Sequence, residues 1–158
     1  MGYFFYFVFD EEMGMINEVT VAFIRRHAEE DVRQLALKGG QHPGVDMPLA
    51  LQQIAGRQTA RQKLPSWAAI DALLYPPHLS MEQCSSEQTA RYKAQLAARL
   101  CADFGQKSRP DDLKKVHLPH EIAPSLVDLT GGFGVDFSFM ARQFERCIYI
   151  ERQPALCE

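Results

Sequence analysis

Two acidic residues and a cluster of glycines between them are the groups in this chain best placed for chemistry. Asp128 ends an apolar run that begins at Leu126, and Glu151 ends a second apolar run at 147–150. The glycines between them are Gly131, Gly132 and Gly134. The apolar positions after the glycines repeat with the spacing of a helix; they are Phe137, Met140, Ala141 and Phe144. A strand, a glycine turn, a helix and a second strand in this order are typical of the opening of a nucleotide-binding βα unit.

The glycine turn predicts that a ligand comes close to the backbone. Gly132 and Gly134 have no Cβ, so the chain can turn tightly there, and the helix that follows can offer its free amides. Glu151 lies seventeen positions after Gly134. At about this distance, the acid at the end of the second strand of such units reaches a ribose and accepts hydrogen bonds from its hydroxyls. We therefore expect a cofactor that contains adenosine.

The spacing of the motif favours S-adenosylmethionine over a dinucleotide. A Gly-x-Gly-x-x-Gly fingerprint would need a glycine where Phe137 stands. Asp128, six residues before Gly134, fits instead the pattern Asp-x-x-x-Gly-x-Gly of S-adenosylmethionine sites, where the acid helps bind the methionine ammonium or a water near it. A dinucleotide-binding oxidoreductase is the less favoured alternative.

The same residues resemble a known family. Residues 128–134 resemble the first motif of the class I S-adenosylmethionine-dependent methyltransferases, and Glu151 resembles the ribose-binding acid of that family. Residues 58–67 and 75–93 resemble a narrower bacterial group that carries a THUMP-like domain after the catalytic core. The resemblance extends from about Met15 to the end of the chain, and it implies S-adenosyl-L-methionine as cofactor and RNA as substrate. The cofactor-binding residues that it implies are Asp128, Thr130, Gly131, Gly132, Phe133, Gly134 and Glu151, although many class I enzymes have glycine in place of Thr130.

Two further candidates precede this core. In many class I enzymes the segment before the core reaches over the methionine end of the cofactor, which implies a cofactor-binding role for Gln83 and Ser85. Helix capping explains them equally well, because Ser80–Gln83 and Ser85–Gln88 both have the spacing of a capping box. The Asn/Asp-Pro-Pro-aromatic segment that usually holds the substrate base is not found after the glycine turn. No residue can therefore be named as catalytic.

The upstream pattern predicts supporting helices. Residues 16–37 have a helical repeat that Ala28–Asp31 breaks into two helices. Asp46 is expected to cap a helix that runs to about Lys63, and another helix runs from about Ser85 to Leu100. Three basic residues on the helix after Asp46 could contact RNA phosphate or simply form a solvated face; they are Arg57, Arg61 and Lys63.

The predicted fold class is α/β, with a helical N-terminal region followed by the first βαβ of a Rossmann-like, doubly wound parallel sheet. The expected divisions are an extension that is not native or is disordered (1–14), the helical region (15–102), a linker (103–123) and the truncated start of the S-adenosylmethionine-binding domain (124–158). Two strands and one helix do not bury a parallel sheet on both faces. We therefore expect an N-terminal fragment of a methyltransferase whose contact with RNA is made through the missing C-terminal part. The alternative is a non-catalytic remnant or a helical interaction domain that binds no cofactor.

Composition narrows the class of protein. The chain has 158 residues, of which 23% are charged and 46% hydrophobic, as in globular proteins. The net charge of −3 gives no overall basic character for nucleic acid. The four cysteines form no Cys-x-x-Cys pair, which predicts reduced thiols and a cytoplasmic protein. No apolar run is long enough to span a membrane. No metal is expected, because Pro119 interrupts the His117-x-x-His120 spacing and no third ligand is near.

Overall fold

The structure, a computed structural model, describes residues 16–38, 41–106, 125–153 and 156, with only the backbone at 103–106. The predicted extension at 1–14, most of the predicted linker at 103–123, and His117 and His120 lie outside the described residues. The chain divides into two compact units, one that extends to Cys84 and one that begins at Ser85. The second unit thus includes the helix predicted from about Ser85 to Leu100, which belongs to the predicted helical region 15–102.

The unit that extends to Cys84 is helical. Its helices are α1 (Glu18–Arg26), α2 (Val32–Leu37), α3 (Met47–Lys63), α4 (Pro65–Ala68) and α5 (His78–Gln83). The break between the first two helices is confirmed, and Asp31 caps α2 by accepting from the Gln34 amide at 2.9 Å. Asp46 caps α3 as predicted, accepting from the Leu49 amide at 3.1 Å. The capping box at Ser80–Gln83 is wrong, because α5 already begins at His78, after Pro77.

Helix α3 is the centre of this unit. Its residues Ala50 and Ile54 are fully buried in a core with Phe23 of α1 and Leu35 of α2.

The basic residues on α3 have partners within the unit. Arg57 pairs with Asp71, and Arg61 pairs with Glu29. Lys63 donates to the carbonyl oxygens of residues 81 and 82. These contacts favour a structural role for the three basic residues.

The second unit contains the predicted strand–helix–strand segment. Its elements are α6 (Glu87–Gln106), β1 (Ser125–Asp128), α7 (Val135–Met140), a 3₁₀ turn (Ala141–Gln143) and β2 (Arg146–Tyr149). The strands pair in parallel, with Ser125 opposite Arg146 and Asp128 opposite Tyr149. Within the described residues this is a two-stranded sheet in a helix-rich chain, consistent with an incomplete α/β fold.

One face of this sheet carries large exposed apolar side chains. Paired residues of neighbouring strands point to the same face of a sheet, so Val127 of β1 and Ile148 of β2 share a face. Val127 lies opposite Ile148 in the strand register. Val127 is 50% exposed and Ile148 is 56% exposed. Parallel sheets are ordinarily covered on both faces, so this exposure is unusual for the class.

Helix α6 packs against α7. Val135 and Phe139 of α7 are buried, and the guanidinium of Arg91 on α6 lies 4.9 Å from the centroid of the Phe139 ring. Arg91 is held by Glu87, whose carboxylate is one turn away at 2.5 Å. These contacts hold α7, which directly follows the glycine turn, against a long helix.

None of the helices in the described ranges combines the length and the apolar character that a membrane-spanning helix needs. The described side chains also include no group of three or more potential metal ligands.

Candidate cofactor site at the glycine loop

The residues between β1 and α7, 129–134, form a loop that is bonded to the chain just after β2. We call it the glycine loop. The Ile150 amide donates to the Asp128 carbonyl at 2.8 Å, and the Gly131 amide donates back to the Ile150 carbonyl at 2.9 Å. The Gly134 amide then donates to the Gly131 carbonyl at 2.8 Å and closes a tight turn. The carboxyl ends of both strands therefore meet at the glycine loop, the usual position of a ligand in open α/β sheets.

Two glycines of the loop have a backbone conformation that other residues rarely adopt. Gly132 has φ +57°, and Gly134, which precedes the first residue of α7, has φ +77°. A left-handed conformation costs a residue with a Cβ roughly 1–2 kcal/mol. Among the described residues other than its chain neighbours, a Cβ at Gly132 would meet no atom closer than the Thr130 carbonyl oxygen at 3.9 Å. The described part of the chain thus leaves room for a ligand to approach the backbone at Gly132.

Gly131 is needed for a different reason. Its backbone does not lie in the left-handed region, but a Cβ there would fall 2.0 Å from Cε2 of Tyr149. The Tyr149 ring lies directly against the loop, donates its hydroxyl to the Gly132 carbonyl and packs edge-on against Phe137 at 5.3 Å between centroids. The aromatic residue that ends β2 therefore fixes the path of the loop.

Glu151 contacts the loop through its carboxylate. Oε2 accepts a hydrogen bond from the Gly132 amide at 2.7 Å, and Oε1 accepts one from the Gln153 amide at 2.8 Å. The amides of Gln153 and Gly132 hold the pKa of Glu151 below its usual value, because they stabilise the ionised form. A carboxylate has about four acceptor positions, so these bonds are compatible with additional donors such as ribose hydroxyls.

The other predicted residues of the motif lie on the glycine loop or, in the case of Asp128, directly before it. Asp128 accepts from the Thr130 amide through Oδ1 at 3.0 Å, which forms a local turn at the end of β1. Thr130 is exposed and Phe133 is partly buried. The structure thus brings together the seven candidates between Asp128 and Glu151.

The two upstream candidates belong to different units. Gln83 is an exposed residue at the end of α5, in the first unit, whereas Ser85 belongs to the second unit. The predicted cap at Ser85 is displaced by one residue, because the hydroxyl of Ser86 accepts from the Thr89 amide at 3.2 Å. Ser85 Oγ instead donates to Asp136 Oδ2 at 2.9 Å.

Sequence reasoning missed two residues near the loop. Lys93 Nζ donates to Asp136 Oδ2 at 2.6 Å and to Ser85 Oγ at 2.9 Å. Asp136 directly follows the motif at the second position of α7, and this acid two residues after Gly134 was the signal that could have been noticed. Its partner on α6 is 43 positions away, and no local pattern identifies such a pair.

Comparison with known proteins gives one informative likeness. No family model and no curated protein matches the chain. The chain is similar to the crystal structure of a "putative methyltransferase from Porphyromonas gingivalis W83", with 28% sequence identity and a TM-score of 0.53. The match covers 92% of this chain and 30% of that one, so this chain spans under a third of that protein's length. The likeness supports a methyltransferase fold.

Proposed function

We propose that the glycine loop binds S-adenosyl-L-methionine and that the chain carries the cofactor-binding part of a methyltransferase. The observation that carries this proposal is the contact between Glu151 and the Gly132 amide, because it puts the acid that follows the second strand at a glycine where a Cβ would meet no described atom closer than 3.9 Å. The structural likeness to a protein named as a methyltransferase adds support. When bound, the cofactor supplies the methyl group.

The residues of this chain would bind and orient the cofactor. The open side of Gly132 allows the ligand to reach the backbone, and Glu151 is positioned to accept hydrogen bonds from ribose hydroxyls while it holds the loop. Asp128 stabilises the start of the loop through the Thr130 amide. Transfer of a methyl group between two bound reactants depends mainly on their proximity and orientation, which a rigid loop favours.

The proposed substrate class is RNA, and the resemblance of residues 58–67 and 75–93 to methyltransferases with a THUMP-like domain supports it. Helix α3 is not part of this proposal, because its basic residues are engaged within their own unit. The substrate class is tested separately from cofactor binding in a protein that joins this chain to the remainder of a methyltransferase core. The measurement is transfer of radiolabelled methyl groups from S-adenosylmethionine to total RNA, compared with protein and DNA acceptors.

Calorimetry with S-adenosylhomocysteine and with NAD tests the cofactor. We expect the first ligand to bind and the second not to bind. Gly132→Val should abolish binding, because its methyl groups would occupy the open side of the loop and its backbone would be strained. Gly44→Val is the matched control, since Gly44 also has a positive φ (+83°) but lies in the first unit. Binding of NAD alone, or equal binding by wild type and Gly132→Val, would refute the proposed site.

A further inference from the structure

Three side chains form a closed triangle of hydrogen bonds at the first turn of α7, directly after the glycine loop. Asp136 Oδ2 accepts from Ser85 Oγ at 2.9 Å and from Lys93 Nζ at 2.6 Å, and Lys93 Nζ also donates to Ser85 Oγ at 2.9 Å. The side chain of Asp136 is 29% exposed and that of Lys93 is 44% exposed. The triangle joins Ser85, which precedes α6, and the second turn of α6 to the first turn of α7.

Helix α7 depends on this attachment. It has six residues, and isolated helices of that length are not stable in water. Gly134, which precedes it, has no side chain to cap the helix. On α7 the Lys93–Asp136 pair holds the first turn, and the Arg91–Phe139 contact holds the following turn. Because Asp136 is two residues from Gly134, the first contact also fixes where the glycine loop ends.

The loss of Lys93 would leave Asp136 poorly satisfied. Its Oδ1 is buried and has no hydrogen-bond partner among the described residues. Without the ammonium group, the charged carboxylate would retain only the Ser85 hydroxyl. A partly buried carboxylate with too few donors is costly, so the side chain would turn towards solvent and displace the first turn of α7.

We propose that Lys93, acting through Asp136, is a positioning residue that holds the glycine loop in the conformation that binds the cofactor. The part of this inference that concerns cofactor binding rests on the proposed function. The part that concerns the conformation of the loop does not, since it follows from contacts within the chain.

The test uses the full chain and two measurements. Amide hydrogen exchange of residues 129–138 reports on the loop without a ligand, and calorimetry with S-adenosylhomocysteine reports on binding. The variants are Lys93→Met, Lys93→Arg and Asp136→Asn, together with the double variant Lys93→Met/Asp136→Asn. Ser85→Ala is a milder perturbation of the same triangle. Arg99→Met is the matched control, because Arg99 is an exposed cation on the same helix.

Lys93→Met should speed exchange in 129–138 and weaken binding, each by about fivefold, which is the effect of a partly exposed ion pair at the upper end of its usual range. Lys93→Arg should retain most of the wild-type protection from exchange and most of the wild-type affinity. Ser85→Ala should change exchange in residues 129–138 less than Lys93→Met does. The double variant Lys93→Met/Asp136→Asn should show the same exchange and the same affinity as Asp136→Asn alone. Arg99→Met should match wild type.

The inference would be overturned if amide exchange in Lys93→Met were the same as in wild type. It would also be overturned if Lys93→Met changed exchange as much in the Asp136→Asn background as in the wild-type background. An Arg variant as poor as the Met variant would show that the positive charge is not what matters. If Lys93→Met loosens the loop but binds as wild type, the positioning role in binding is wrong and the proposed function stands. If wild type does not bind, the proposed function fails, and exchange alone decides whether Lys93 positions the loop.

Discussion

Replacement of Gly131 by alanine should destabilise the second unit by about 3 kcal/mol. The added Cβ would lie 2.0 Å from Cε2 of Tyr149 and 2.5 Å from Cδ2 and Cζ. The ring must move on the order of 1.5 Å to reach a normal carbon–carbon separation of about 3.5 Å. The backbone of Gly131 is not left-handed, so alanine adds no conformational strain of its own.

The magnitude follows from what Tyr149 loses when it moves. Forcing an extra methyl group into a packed site costs about 1–3 kcal/mol. The hydrogen bond from the Tyr149 hydroxyl to the Gly132 carbonyl contributes about 0.5–1.5 kcal/mol, and the edge-on contact with Phe137 contributes a similar amount. These terms overlap, because one movement of the ring produces all of them. Without overlap the terms would combine to about 2–6 kcal/mol, so their overlap places the expected cost in the lower half of that range, at about 3 kcal/mol.

Urea unfolding, followed by the NMR signals of the β1 and β2 amides, measures this change. The decisive comparison introduces Gly131→Ala into a Tyr149→Ala background, where the ring is absent. There the substitution should be neutral or stabilising by a few tenths of a kcal/mol, because alanine restricts the unfolded chain more than glycine does. Gly132→Ala is the control: its cost of about 1–2 kcal/mol comes from φ +57° and not from a clash. An equal cost of Gly131→Ala in both backgrounds would refute the reasoning.

Three further predictions concern the acid and the sheet. Glu151→Ala should weaken S-adenosylhomocysteine about tenfold, by analogy with hydrogen bonds to charged groups, as measured by calorimetry. The pKa of Glu151 is lowered, so its contact with Gly132 should be fully formed at neutral pH and should persist as the pH falls past 4.5, the ordinary pKa of a glutamate. The contact should be lost only when the pH falls through the lowered pKa. The NMR shift of the Gly132 amide should follow this titration, and Glu151→Gln should abolish it. Ile148→Lys should reduce self-association of the chain, measured by light scattering, because Ile148 and Val127 expose an apolar face. Arg146→Lys is the control on the same strand. Unchanged scattering in Ile148→Lys would argue that this face does not self-associate.

The parts of the fold that were predictable are those encoded by neighbouring residues. The apolar run before Asp128, the glycines and the helical repeat after them specify a strand, a turn and a helix locally, and the structure confirms all three. The predicted helical position of Phe144 is wrong, because α7 ends at Met140 and a 3₁₀ turn follows to Gln143. Apolar spacing cannot distinguish a last α-helical turn from a 3₁₀ turn, since both keep residues three apart on one side.

The parts that were not predictable depend on distant partners. Ser85 had the spacing of a cap, but its hydroxyl contacts Asp136, 51 positions away, and the neighbouring Ser86 caps α6 instead. Adjacent serines offer the same hydroxyl to the first turn, so sequence alone cannot choose between them. The role of Tyr149 is similar, because its clash with any Cβ at Gly131 exists only once β1 and β2 are paired.

The end of β2 acts as a template for the glycine loop, and this changes how a substitution of Glu151 must be interpreted. Three consecutive residues contact the loop: the Tyr149 ring lies against Gly131, the Ile150 backbone bonds to Gly131, and Glu151 bonds to Gly132. Weaker binding by Glu151→Ala could therefore arise from a lost ribose contact or from a disturbed loop.

A 2′,3′-dideoxyribose analogue of S-adenosylhomocysteine separates the two causes, because it has no hydroxyls to donate to a carboxylate. If Glu151 binds the ribose, Glu151→Ala should weaken the natural ligand by about tenfold more than the analogue. If Glu151 acts only on the loop, the substitution should weaken both ligands equally, because both approach the same backbone at Gly132. No loss with either ligand would remove Glu151 from both roles and would leave the Tyr149 ring and the Ile150 backbone as the groups that shape the loop.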